Sequence, residues 1–113
     1  MKHILLSFDS ARPECLSEID PACHIWLFIP AGQEYMPMTW CEVLCRFGKR
    51  VHFVFLPPGS AADPGLVWAY HLGRIAAQDP DAAICLLSDD NRQDIVLQRM
   101  RAQQHCLDVV RFD

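Results

Sequence analysis

Apolar runs of strand length alternate along this chain with longer segments of helical period, and Pro, Gly or Asp marks each junction. The pattern predicts strands at about His3 to Phe8, His24 to Ile29, Val51 to Leu56, Ala83 to Leu87 and Leu107 to Phe112. Between them it predicts a short helix from Pro13 to Ile19 and a second from Met38 to Phe47, closed by Gly48. A third opens with Asp63 as N-cap and Pro64 in its first turn and runs to about Gln78; a fourth spans about Asn91 to Gln103. On the third helix Leu66, Ala69, Tyr70, Gly73 and Ala77 share a face whose small members suit close approach to a sheet. Val96, Leu97 and Met100 form the apolar stripe of the fourth.

The strand runs are continuously apolar rather than alternating, which implies burial on both faces and hence a parallel sheet covered by crossover helices. The element order is β-α-β-α-β-α-β-α-β. Residues 1–113 are therefore expected to form a single α/β domain, a three-layer α/β/α sandwich with a five-stranded, mainly parallel sheet. In this architecture the loops after the strands converge on one edge, where ligands bind.

Composition narrows the picture. The chain has 113 residues, 51% of them hydrophobic, which supplies one core and leaves no room for a second domain. The formal charge of −4, with Lys2 and Lys49 the only lysines, gives no basic field. Phosphate-driven affinity for nucleic acid is then weak unless metal ions or a local arginine cluster compensate. The start MKHILLSFDS meets an acidic residue after a short apolar run, unlike a signal peptide, and no stretch approaches membrane-spanning length. Six cysteines in a core-rich chain without an export signal read as free thiols in a reducing cytoplasm.

The residues that follow the strands carry the candidate chemistry. They are Asp9 and Ser10 after the first, Pro30 to Gly32 after the second, Pro57 to Asp63 after the third, and Ser88, Asp89 and Asp90 after the fourth, with Asp94 one helical turn later. Asp9 and Asp90 come together if the strand order switches beside strand one. Gathered carboxylates repel one another unless a cation lies between them, and Mg²⁺ or Mn²⁺ is the natural cation for a few carboxylates, waters and a substrate phosphate. That constellation suits metal-assisted phosphodiester hydrolysis.

Three of these acids also have a structural reading. Asp90 or Asn91 can cap the last helix, Asp94 suits its first turn through the helix dipole, and Asp63 before Pro64 is an ordinary cap. Asp9 follows a buried strand and needs no cap. Cys41 and Cys45 stand one helical turn apart without a second pair, so they read as buried thiols rather than half of a metal site. His24, His52, His71 and His105 have no common spacing. A phosphoacceptor receiver fails, because an Asp should end strand three where Leu56 and Pro57 stand.

The stretch Asp63-Pro64-Gly65-Leu66-Val67-Trp68-Ala69-Tyr70-His71-Leu72-Gly73-Arg74-Ile75-Ala76, then Asp79-Pro80-Asp81-Ala82 and Leu87-Ser88-Asp89-Asp90, resembles a bacterial group of PIN-like domains. Ser88, Asp90 and Asp94 fit that group's Ser-x-Asp and its following Asp, and Asp9 fits the acid that closes strand one. The resemblance spans essentially the whole chain and implies a sheet of order 3-2-1-4-5 and a Mg²⁺- or Mn²⁺-dependent ribonuclease. It further implies Asp9, Asp90 and Asp94 as catalytic metal ligands, with Asp63 as a fourth. The chain departs from the pattern at Gly65, where the family has a helix-start acid. Asp63 lies two residues earlier, about 200° away around a helix. Ala11 and Arg12 replace an acid and an Asn, and Ala61 and Ala62 replace a Lys and an Asn. Arg12 either engages a phosphate or neutralises Asp9.

Two expectations follow. One is a metal-dependent nuclease acting on RNA. The other is a catalytically degenerate scaffold that binds a protein partner or another copy of itself, suggested by Gly65, Arg12, the acidic charge and the apolar Tyr35, Met36 and Trp40.

Overall fold

The computed structural model describes residues 1–58, 64–88 and 91–112. Strands β1 (Lys2–Ser7), β2 (His24–Ile29), β3 (Val51–Phe55), β4 (Ala83–Leu87) and β5 (Asp108–Phe112) form one sheet in the order β3-β2-β1-β4-β5. Every neighbouring pair runs parallel, so the sheet is wholly parallel. Helices α1 (Met38–Cys45), α2 (Pro64–Gln78) and α3 (Asp94–Ala102) flank it, with 3-10 turns at Pro13–Leu16, Gly48–Arg50 and Asn91–Gln93.

Alternate strand residues divide the core between two faces. Leu5, Phe28, Ile84, Leu86 and Val109 pack with Trp68, Leu72, Ile75 and Ala76 of α2 and with Leu97 and Met100 of α3. Ile4, Leu6, Ile25, Leu27 and Ile29 pack on the other side with Leu16, with Trp40 and Leu44 of α1, and with Phe47. Three layers result, but burial on both faces, expected of every strand, fails at the edge strand β3, where Phe53 and Phe55 are exposed because no helix covers that side of the edge. Among the described residues no helix is long and apolar enough to cross a membrane.

Local details depart from the sequence reading. The helix expected from Pro13 to Ile19 is only a 3-10 turn, Pro13–Leu16. It is tied down instead by Arg46, which donates from Nη1 to the Leu16 and Ser17 carbonyls at 2.8 and 2.9 Å and from Nη2 to that of Ile19 at 3.1 Å. A guanidinium thus supplies donors that a continued helix would have supplied from its backbone. Helix α1 ends at Cys45 rather than Phe47, and Gly48, at φ +56, starts the next 3-10 turn. The last helix begins at Asp94, behind a 3-10 turn, with Gln93 at its N-cap position. Asp63 and Asp90, expected as caps, lie outside the described residues.

The buried face of α2 is the main correction. Trp68, Leu72, Ile75 and Ala76 face the sheet, whereas Leu66 and Tyr70 are exposed, as are Gly73 and Ala77. The helix is apolar nearly all round, so two stripes share the helical period. The larger stripe removes more surface from water, and the sheet has room for it because Trp68 stacks on Phe28 at 4.5 Å.

These two stripes make opposite predictions. Leu72→Ala should lower unfolding free energy by about 2–5 kcal/mol in urea titrations, because Leu72 is fully buried. Leu66→Ala should stay within about 0.5 kcal/mol of the parent. The reverse ranking would return the sheet to the other face.

Candidate functional site

The strand order reverses at β1, whose neighbours are β2 on one side and β4 on the other. Loops leaving β1 and β4 therefore diverge and open a crevice at their carboxyl ends. The register pairs Leu6 with Leu87, so Ser7 and Ser88 emerge side by side. After β1 the chain turns back at once, with the Ser7 carbonyl accepting from the Ala11 N–H at 2.9 Å. Asp9 sits in this turn, and its Oδ1 accepts a hydrogen bond from Ser7 Oγ.

A depression of about 270 Å³ lies at this point, lined by Ser7, Asp9 and Ser10 from the β1 turn, Gly65 and Trp68 from α2, Ser88 from β4, and Arg92 and Gln93 from the last 3-10 turn. The condition for Asp9 and Asp90 to meet was that β1 and β4 be neighbours, and they are. Asp90 and Asp63 themselves lie outside the described residues. No ion pair joins Arg12 to Asp9 among the described residues, and Arg12 is exposed beside the next 3-10 turn.

Asp94 is placed differently. Arg111 of β5 donates from Nε to its Oδ1 at 2.7 Å and from Nη2 to its Oδ2 at 3.1 Å, while Nη1 reaches the Ser88 carbonyl at 2.9 Å. This two-pronged pair fixes the carboxylate's orientation. Asp94 lines a separate depression with Leu97, Gln98, Arg101 and Arg111. Among the described residues no group of three or more His, Cys, Asp or Glu side chains is arranged to hold a metal ion.

Sequence reasoning passed over Gln93 and Arg111. Arg111 carried a signal, since an arginine inside an apolar final strand needs a partner when half-buried. Gln93 carried none. Its side chain does not cap α3 but turns to α2, where Nε2 donates to the Gly65 carbonyl at 2.9 Å. Gln93 is 6% exposed, and its Oε1 is buried without a hydrogen-bond partner.

A second polar cluster lies at the opposite end of the strands. His3 pairs in register with His24, and Trp26 with His52, which brings three histidines from three strands onto one face. Trp26 Nε1 donates to His3 Nδ1 at 3.1 Å, so that nitrogen is the acceptor and the proton is on Nε2, 3.2 Å from Asp79 Oδ2. His24 Nδ1 and His52 Nε2 stand 2.9 Å apart with ring centroids at 5.2 Å and planes at 13°. These rings meet edge to edge in one plane, sharing one N–H, while Trp26 stacks face to face on His52 at 4.1 Å. Burial lowers the affinity of His3, His24, His52 and His71 for a second proton, opposed at His3 by Asp79.

Cys41 and Cys45, expected as buried thiols, divide: Cys41 is partly buried, whereas Cys45 is exposed. Cys23 is buried. Burial lifts the Cys85 thiol to about 11, which keeps it protonated and unreactive. No protein-family model, no curated protein and no solved structure matches the chain.

The three histidines of the row, together with His71 of α2, have a pH consequence with a definite sign. All four imidazoles have folded values below the ordinary 6.5, so as pH falls through that value the unfolded chain takes up protons that the folded chain refuses. Their contribution to stability is complete above 6.5 and is lost as pH drops toward their folded values. The Tm should therefore fall between about pH 7.5 and about pH 5, and less steeply in His52→Gln. An unchanged Tm across that range would contradict the lowered affinities.

Proposed function

We propose that this chain is a divergent PIN-like domain that hydrolyses RNA phosphodiester bonds with the help of Mg²⁺ or Mn²⁺. The observation that carries the reading is the depression at the strand-order switch, which joins Asp9 to the hydroxyl-bearing Ser7, Ser10 and Ser88. Its donor set suits a hard cation. The acidic and neutral groups are oxygens, and one of them, Gln93 Oε1, is buried without a partner.

In this reading Asp9 is the principal ligand, held in orientation by the Ser7 hydroxyl. Asp90 and Asp63 are the further carboxylates that the sequence offers. A divalent cation supplies stabilisation of the charge that develops on the attacked phosphate. Arg92 brings a guanidinium to the wall, which offsets repulsion between the RNA backbone and an acidic chain. Asp94 acts as a positioning residue: it holds Arg111, and through Arg111 the Ser88 carbonyl, rather than facing the substrate.

A second reading, a non-catalytic scaffold for a protein partner or a second copy, is favoured by the edge strand β3. Phe53 and Phe55 are exposed there beside Tyr35, around a depression also lined by Phe8 and Ile29. Trp40, by contrast, is core.

RNA cleavage with and without Mn²⁺ separates the two. Under the first reading, Asp9→Asn lowers Mn²⁺-dependent cleavage on the order of a hundredfold or more while leaving the circular dichroism spectrum and Tm close to the parent's. Cleavage equal in parent and variant, or absent in the parent at millimolar Mn²⁺, leaves the scaffold reading.

A further inference from the structure

Gln93 is a polar side chain that the fold buries at a cost and leaves half-used. Its amide nitrogen is fixed on the Gly65 carbonyl, so the amide cannot rotate without losing that bond, and Oε1 is held without a donor. A buried, unpaired carbonyl oxygen costs about 1–3 kcal/mol, which a fold retains where another group completes it. Gln93 and Asp9 line the same depression, as do Gly65 and Ser88. Gly65 is also the position at which the helix start has no side chain, and the Gln93 amide lies against its backbone.

We infer that Gln93 Oε1 is a neutral oxygen ligand for a divalent cation held with Asp9, and that it offsets the lack of a side-chain donor at Gly65. This inference rests on the metal-dependent reading of the pocket. An amide oxygen carries no formal charge, so the site repels anions less than an all-carboxylate one and binds the cation more weakly. Arg92 on the same wall acts in the same direction.

Calorimetric titration with Mn²⁺ alone, paired with Tm shifts, tests the assignment in the full chain. Gln93→Met and Gln93→Glu both lose the amide that Gly65 accepts, so the contrast between them isolates the oxygen. Relative to the parent, Gln93→Met should weaken Mn²⁺ binding by about tenfold, and Gln93→Glu should tighten it by about tenfold because a charged ligand replaces a neutral one. Without metal, Gln93→Glu should melt below Gln93→Met, since it buries a charge, and Mn²⁺ should reverse that order. Should Gln93→Met fail to fold, the metal-dependent rise in Tm of Gln93→Glu over the parent carries the test. Equal Mn²⁺ affinity in parent, Gln93→Met and Gln93→Glu, with binding lost in Asp9→Asn, overturns the Gln93 assignment and leaves the metal site standing. A parent that binds no Mn²⁺ at millimolar concentration overturns the metal site itself, and the assignment with it.

Discussion

Strand β1 is buried on both faces, with Leu5 and Leu6 fully enclosed, and it is hydrogen-bonded in parallel register to β2 and β4. A strand so placed cannot slip by one residue without exchanging the side chains that fill two different cores, Leu5 against α2 and α3 on one face and Ile4 and Leu6 against α1 on the other. Because the register is fixed, Ser7 and Ser88 must leave the sheet together, and the chain must turn at Asp9. The reversal of strand order at β1 then keeps the two departing loops apart and leaves a gap between them. The polar depression is a by-product of how the core is buried, which is why its position is more rigid than a site built on loops alone.

The same edge shows two ways of managing buried charge and polarity. Asp94 and Arg111 satisfy one another with two hydrogen bonds, and the remaining arginine nitrogen satisfies the Ser88 carbonyl, so that part of the edge is closed. Gln93 is satisfied on one side only. The contrast between a completed network and an incomplete one distinguishes a structural pair from a group poised toward something else. At the opposite end, His3 accepts from Trp26 and sets its other nitrogen beside Asp79, His24 and His52 share one N–H, and burial lowers the affinity of all three for a second proton.

The sequence by itself determined the layers, the strands and the edge. Uninterrupted apolar runs such as His24 to Ile29 require two covered faces, and that requirement alone yields a parallel sheet with helices on both sides. Asp9 was legible as a candidate because a carboxylate directly after such a strand has no structural task. The apolar stripe of α3 was legible too, since its polar positions leave only one face to bury. The stripe of α2 was not, because a helix apolar nearly all round has two stripes of the same period, and the choice depends on which side chains fit against Phe28.

Tertiary structure alone decided which polar groups meet. His3, His24 and His52 share no spacing along the chain, and parallel register brings them together across three strands. Arg111 finds Asp94 from 17 residues away, and Gln93 finds Gly65 from 28, through contacts no local pattern encodes. Periodicity reports how a segment meets water, which is a local property. Partnership between side chains depends on distances across the sheet, and those exist only once the strands have paired.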